Sequence, residues 1–110
     1  MDIEKFVAGW LAAGNRFDKN QYLTYYTDEA KLEDISLGTK FVGHEGIGAY
    51  FTEYFIGYET QTRLLKLNIG TNTAKLEVEF TGSFPERQIG GKFELRFRDG
   101  KIDRATADLM

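Results

Sequence analysis

The hydrophobic residues of this chain change their spacing about halfway along the sequence, and this change limits the possible folds more than any other feature. In the first half they recur at the interval of about 3.6 residues that gives an α-helix one apolar face. The first helix is predicted to end near Gly14-Asn15, because both residues tolerate the left-handed backbone that follows many helices. Its apolar stripe consists of Ile3, Phe6, Val7, Trp10 and Leu11.

Two further helices are predicted in the same half. Asp18 is a typical N-cap with Gln21 in the capping-box position, and the short helix that follows carries Tyr22, Leu23 and Tyr26 on its apolar face. The third helix is predicted from Glu45 to Phe55, and Gly57 ends it. Its apolar stripe consists of Ile47, Phe51, Tyr54 and Phe55.

Strands are predicted wherever apolar and polar residues alternate. Ala30 to Ile35 is the first such segment, and such segments make up the second half of the chain. Asp99-Gly100 and the segment from Gly70 to Thr73 are turn signals between neighbouring strands. Such short turns join antiparallel strands, so the sequence predicts the α+β class: a strongly curved, mostly antiparallel sheet covered by three helices. The apolar positions of the later strands are Leu65, Leu67 and Ile69; Leu76, Val78 and Phe80; Phe93, Leu95 and Phe97; and Ile102.

Length and composition exclude several classes of protein. A chain of 110 residues is expected to form one domain, residues 1–110. It has no cysteine and one histidine, which excludes disulfides and the metal sites built from thiolates or several histidines, and leaves only a cation bound by carboxylates. Neither a metal nor an organic cofactor is expected for the function. The net charge of −3 argues against nucleic acid as a partner. Because the sequence lacks both an apolar run of about 20 residues and a signal peptide, we expect no membrane contact and a cytoplasmic location.

Asp34 is the strongest candidate for chemistry. Aromatic residues make up 15% of the chain, which predicts a ring-lined cavity under the sheet for a small apolar molecule. The strand phase places Asp34 on the same face as Ala30 and Leu32, where a carboxylate must find a partner or lose its charge. The alternative is a structural Asp that accepts backbone hydrogen bonds in the turn leading to Gly38.

Other side chains are candidates for the cavity wall. Arg63 is predicted on the apolar face of its strand, where it would pair with a carboxylate or reach the rim. Trp10 would donate its indole N–H to a ligand oxygen. Three tyrosines that would supply hydroxyl groups are Tyr26, Tyr50 and Tyr54. His44 is expected to be exposed or to cap the third helix, because nothing beside it completes a catalytic triad.

Several short segments, spread over most of the chain, occur in a distinctive order. They are Ala12-Ala13-Gly14-Asn15 within Phe6 to Asp18, Tyr25 to Ala30, Leu32-Glu33-Asp34, Gly43 followed by Gly46-Ile47 and Tyr50-Phe51, and, more loosely, Phe93 to Lys101. This order resembles the nuclear transport factor 2-like superfamily, in particular its SnoaL-like polyketide cyclase and ketosteroid isomerase branches. The resemblance implies a cone-shaped, cystatin-like fold around a cavity, and a homodimer formed through the outer face of the sheet.

The resemblance also implies roles for individual residues. In ketosteroid isomerase an Asp base moves a proton at carbon, while a Tyr and a protonated Asp donate hydrogen bonds to the enolate oxygen. Asp34 falls at the position of that base. Trp10 stands at the position of the Tyr and Phe93 at that of the protonated Asp, so both oxyanion donors are replaced. Ile35 stands where proline commonly follows the base.

Three functions are open at this point. The first is a small-molecule isomerase or cyclase in which Asp34 acts as general acid and base on a carbonyl-containing apolar ligand. The second is a non-catalytic ligand-binding or dimerisation module of the same fold. The third is epoxide hydrolysis, for which Asp34, Arg63 or Arg96, and Asp103 or Asp108 would have to form an Asp-Arg-Asp set. The candidate ligand-binding residues are Trp10, Tyr26, Tyr50, Tyr54, Arg63 and Phe93.

Overall fold

Three α-helices and six strands follow one another in the computed structural model, which describes all 110 residues. In chain order they are α1 (Ile3–Asn15), α2 (Lys19–Thr24), β1 (Tyr26–Asp34), β2 (Thr39–Val42), α3 (Gly43–Phe51), β3 (Gln61–Gly70), β4 (Thr73–Thr81), β5 (Gln88–Arg98) and β6 (Lys101–Leu109). A π-helical segment, Thr52–Ile56, extends α3.

The strands form one sheet in the order β2-β1-β6-β5-β4-β3. Every neighbouring pair is antiparallel except β1 and β6, which are parallel and are connected through the rest of the chain. The β5–β6 hairpin turns through Asp99 and Gly100, whose φ angles of 52° and 74° are those of a tight hairpin turn. The structure therefore confirms the α+β class and the mostly antiparallel sheet.

Aspartates cap the first two helices, and the cap at Asp18 is the one that the sequence predicted. Asp2 and Asp18 each accept a hydrogen bond from the backbone N–H three residues later and so cap α1 and α2. The first helix ends at Asn15, as predicted, but the left-handed residue that follows it is Phe17 (φ 58°) rather than Gly14 or Asn15. Asn15 instead joins the helix to β3: its side-chain amide donates to the Thr62 carbonyl (3.0 Å) and accepts from the Thr62 N–H (2.7 Å).

The core lies between the helices and the inner face of the sheet. Its largest fully buried side chains include Trp10, Tyr26, Phe51, Leu32 and Ile47. Tyr26 was predicted on the second helix, but it is the first residue of β1. The helix ends at Thr24 with Tyr25 as its C-cap, so Tyr26 is already in the strand and its side chain is buried in the core. No helix is long and apolar enough to cross a bilayer.

The strand β3 departs from regular alternation. A one-residue bulge between Leu64 and Lys66 reverses which side chains face the core. Arg63 was predicted to share the apolar face with Leu65 and Leu67, but it pairs across the sheet with Glu79 on the outer face. Leu65, in the bulge, is 54% exposed. The prediction for Arg63 was wrong because a single inserted residue inverts a period of two.

Candidate functional site

Asp34 ends β1 on the inner face of the sheet, where the strand phase predicted it. It is 7% exposed and is the only charged residue buried in the protein. Its Oδ1 accepts hydrogen bonds from the Ser36 hydroxyl (2.5 Å) and the Leu37 N–H (3.2 Å). Its Oδ2 accepts from the Tyr50 hydroxyl (2.7 Å). The backbone bond to Leu37 is the contact that the structural alternative for this Asp predicted, and the Tyr50 bond is additional to it.

The Asp34 carboxylate has no ionic partner. The five ion pairs of the protein all lie elsewhere, and Arg63, which was expected to pair with a carboxylate on the inner face or to reach the rim, binds Glu79 at 3.0 Å on the outer face. All three groups that hydrogen-bond Asp34 are neutral donors. They replace the hydrogen bonds to water that burial removes, but none of them brings a positive charge to the carboxylate.

Tyr50 reaches Asp34 from α3. Burial, together with the negative charge and the hydrogen bond of Asp34, raises the pKa of Tyr50 above its ordinary value. The hydroxyl therefore keeps its proton and acts as a donor to Asp34. This contact connects β1 to α3 and fixes the direction of the carboxylate.

Both residues form part of the wall of a cavity of about 200 Å³. No Lys, Arg or His side chain lines it, and its polar lining includes Ser36, Thr60 and, at β6, Asp108. Most of its surface is apolar. Six aromatic residues line it: Tyr50, Tyr54, Phe55, Tyr58, Phe80 and Phe84.

Tyr54 supplies a hydroxyl that has no hydrogen-bond partner in the protein, although the Tyr54 backbone carbonyl accepts a bond from Thr60. Partial desolvation, followed by the negative charges of Glu53 and Asp34 and the neighbouring Tyr58, raises the pKa of Tyr54. The hydroxyl is therefore a free donor on the same wall as Asp34.

The remaining predicted ligand-binding residues lie outside this cavity. Trp10 and Tyr26 are buried, and the indole N–H of Trp10 donates to the Tyr26 hydroxyl (3.2 Å), which in turn shares a hydrogen bond with the Tyr22 hydroxyl (2.8 Å). Phe93 packs edge-to-face on Trp10 with ring centroids 5.2 Å apart. The space beside these rings is only about 10 Å³. These residues form the core beneath the cavity, and Arg63 lies on the opposite face of the sheet.

The structure does not assemble the Asp-Arg-Asp set that epoxide hydrolysis would need. Asp34 has no arginine beside it, while Asp103 is paired with Arg98 at 3.1 Å. His44 donates from Nε2 to the Tyr26 carbonyl (3.0 Å) and lies outside the cavity. No group of three or more His, Cys, Asp or Glu side chains is placed to hold a metal ion.

Sequence reasoning missed several wall residues. Tyr58 and Thr60 follow the π-helical segment, and Phe84 lies in the loop between β4 and β5. The alternation of β4 indicated that Phe80 faces inward, but it did not show that the end of this strand borders a cavity. The same alternation reaches Phe84 two steps beyond Phe80, with Gly82 between them, but it did not show that Phe84 borders the cavity.

Comparison with known proteins identifies the family. A family model described as the SnoaL-like domain matches residues 7–105. The chain belongs to this family. No curated protein matches the SnoaL-like chain in sequence.

Solved structures agree with this assignment. A candidate polyketide cyclase from Sinorhizobium meliloti superposes with a TM-score of 0.86 at 17% identity, over 94% of this chain and 93% of that one. A protein with a ketosteroid isomerase-like fold from Catenulispora acidiphila, solved in complex with trimethylamine, superposes with a TM-score of 0.83 at 17% identity. The match covers 93% of this chain and 82% of that one. The epoxide hydrolase/cyclase-like enzyme SalBIII, which is described with a role in pyran ring formation in the polyether salinomycin, superposes with a TM-score of 0.85 at 17% identity. The match covers 97% of this chain and 89% of that one. These likenesses confirm the nuclear transport factor 2-like fold.

Proposed function

We propose that this SnoaL-like protein binds a small carbonyl compound in its cavity and that Asp34 transfers a proton at the carbon beside the carbonyl. The observation that carries the proposal is the buried, unpaired carboxylate of Asp34 on the wall of an apolar cavity. Perturbed or unpaired ionisable groups in such a cleft are typical of catalytic acids and bases.

The size of the cavity limits the ligand. An apolar cavity of about 150 Å³ holds a benzene ring, whereas drug-sized ligands occupy cavities of about 300–1,000 Å³. The volume here is about 200 Å³. We therefore propose a ligand with one ring or a short branched chain rather than a four-ring steroid. The relative solved with trimethylamine supports a ligand of small size.

The proposed step needs a base and a donor. Asp34 takes the proton from carbon, the C–H electron pair moves into the carbonyl group, and the enolate oxygen accepts a hydrogen bond from Tyr54. If a C=C bond of the substrate is conjugated with the enolate, Asp34 returns the proton to the far carbon of that system, which gives an isomerase. If the enolate carbon instead attacks a second carbonyl group of the same molecule, Asp34 returns the proton to the alkoxide that forms, which gives a cyclase. Tyr50 positions Asp34 through the 2.7 Å hydrogen bond between its hydroxyl and Oδ2.

One observation favours a second candidate, a non-catalytic ligand-binding module. Both oxygens of Asp34 already accept hydrogen bonds, and its backbone contact to Leu37 is of the kind that ends many strands. In that case the cavity binds its ligand without proton transfer.

Exchange of deuterium into small cyclic ketones in D₂O, followed by NMR, tests the proposal. Because a positioned base contributes about 10²–10⁴-fold, Asp34→Asn is expected to lower the exchange rate by at least about 10²-fold. Loss of an oxyanion donor costs a similar factor, so Tyr54→Phe is expected to lower the rate about 10²-fold. Glu33→Gln is the control, because Glu33 is the exposed neighbour of Asp34 on the same strand.

The outcomes separate the two candidates. Equal exchange by wild type and Asp34→Asn would remove Asp34 from the chemistry. Ketones that bind to wild-type protein, as shown by chemical-shift changes at the cavity, without exchanging would establish the non-catalytic module instead.

A further inference from the structure

The aromatic residues of the cavity form one continuous arc. In order along the arc they are Phe80, Phe55, Tyr50, Tyr54, Tyr58 and Phe84. Successive ring centroids are 6.1, 5.7, 5.5, 6.5 and 6.3 Å apart. The first four of these residues lie on helices or strands. Tyr58 follows the π-helical segment, and Phe84, in the loop between β4 and β5, forms the outer end of the arc. Because all six residues line the cavity, one ligand in it can contact several of these rings.

Ring faces carry negative electrostatic potential, and they attract cations that lie against them. Alkylated ammonium groups fit such surfaces especially well, because their methyl groups also bury apolar area. A neutral apolar ligand would gain only the second of these contributions.

The charge of the wall points the same way. Asp34 is buried next to Tyr50 in the arc, its hydrogen-bond donors are all neutral, and no cationic side chain lines the cavity. Buried charges in proteins are normally paired with an opposite charge or a metal ion. Within this chain Asp34 has no such partner. A ligand of positive charge would supply it.

We propose that the ligand carries a small alkylated ammonium group, held by the faces of the aromatic arc in the field of Asp34. The inference deepens the proposed function and rests on its cavity: the substrate class becomes an amine-bearing carbonyl compound. An anionic ligand is disfavoured, because it would bring a second negative charge beside Asp34 with no cation to offset it.

Three probes of nearly the same shape and different charge test this inference. They are choline, its neutral isostere 3,3-dimethylbutan-1-ol, and the anion 3,3-dimethylbutanoate. Binding is measured by NMR titration at low salt. We expect choline to bind about tenfold more tightly than the alcohol, and the anion to bind most weakly.

Two variants show how much of the preference for choline comes from the charge of Asp34 and how much from the aromatic rings. Asp34→Asn keeps the shape of the side chain and is expected to reduce the advantage of choline while leaving the affinity for the alcohol within about twofold. Phe84→Leu removes the outer ring of the arc and is expected to weaken choline binding more than alcohol binding. Glu33→Gln makes the same change of charge at an exposed position and is expected to leave all three affinities unchanged.

Equal affinities for choline and the alcohol would overturn the inference, as would a preference for choline that is undiminished in Asp34→Asn. Failure of all three probes to bind would overturn it together with the cavity proposal. A choline preference in a protein that exchanges no ketone protons would support this inference and contradict only the proposed catalysis, so the two failures are distinguishable.

Discussion

At the scale of single residues, the hydroxyl of Tyr26 is the centre of the buried polar network. The Trp10 indole can donate a hydrogen bond but cannot accept one, so a buried Trp10 needs an acceptor. The sequence predicted this need and assigned it to a ligand. The acceptor is instead Tyr26, which also shares a hydrogen bond with Tyr22. The assignment differed because the sequence does not show which side chain packs against the indole once the helices and the sheet come together.

Two substitutions of the same chemical size test this network. Tyr26→Phe leaves the Trp10 N–H buried without a partner and is expected to cost about 2–3 kcal/mol of unfolding free energy. Tyr22→Phe leaves the bond between Trp10 and Tyr26 intact and is expected to cost about 1 kcal/mol. Urea denaturation measures both. Equal losses in the two variants would show that the indole bond contributes nothing specific.

At the scale of elements, the sequence predicts what local patterns control. The three helices, the β4 and β5 alternation and the Asp99-Gly100 turn follow from hydrophobic period and turn chemistry, and the structure has all of them, with the bounds of the second and third helices shifted by a few residues. The four-residue strand β2 was missed, because Thr39–Val42 is mostly exposed and has no alternating apolar face. The face of β3 was wrong at Arg63, because a bulge has no clear signature in the residues around it.

The candidate site divides in the same way. The strand phase predicted the inward direction of Asp34, and the helical stripe predicted that Tyr54 faces the cavity, but neither pattern showed that the two residues share one wall. Tyr50 was named as a possible hydroxyl donor to a ligand, whereas its bond to Asp34 depends on how α3 packs on β1. The wall residues Tyr58 and Phe84 meet through tertiary contacts between a helix end and a loop. The alternation of β4 reaches Phe84, but no periodic pattern in the sequence shows that its ring packs against Tyr58.

Glycine at one position of β5 makes room for the cavity wall. A Cβ atom on Gly91 would overlap the ring of Phe80, whereas a Cβ on Gly90 would lie 3.5 Å from its nearest neighbour, Met110. Gly91→Ala is therefore expected to displace Phe80 and to cost about 1–3 kcal/mol. Gly90→Ala is the matched control and is expected to change stability by less than about 0.5 kcal/mol.

Thermal or urea unfolding of the two alanine variants, together with choline titration, checks this prediction. Because Phe80 lies at one end of the aromatic arc, Gly91→Ala is also expected to alter ligand affinity, and Gly90→Ala is not. Two variants with the same stability would mean that the Phe80 ring moves aside without cost.

At the scale of the whole molecule, charge and aromatic surface lie on opposite faces of the sheet. Cross-strand pairs such as Arg63 with Glu79, and Lys75 with Glu94, occupy the outer face. The inner face carries the aromatic core and the single buried acid, Asp34. The expected homodimer through the outer face stays a prediction, and its interface would be rich in these charged pairs.

The buried tyrosines make global stability sensitive to alkaline pH. Burial raises the pKa of Tyr22 to about 12 and moves the pKa values of Tyr26 and Tyr50 upward as well. In the unfolded chain a tyrosine loses its proton near pH 10. Between these values the unfolded state binds fewer protons than the folded state, so the free energy of unfolding falls as pH rises.

Tyr22 alone is expected to account for a loss of about 2–3 kcal/mol between pH 10 and pH 12, at about 1.4 kcal/mol for each pKa unit. Urea denaturation at several pH values, with tyrosinate absorbance recorded alongside, measures the loss and shows whether ionisation accompanies unfolding. In Tyr22→Phe the decline is expected to be shallower by that amount, because Phe has no proton to lose. Tyr58→Phe, at a residue that is 41% exposed, is expected to leave the slope unchanged. A wild-type protein whose tyrosines all ionise near pH 10 while it stays folded would contradict this account, because it would require the Tyr22–Tyr26 pair to be open to water.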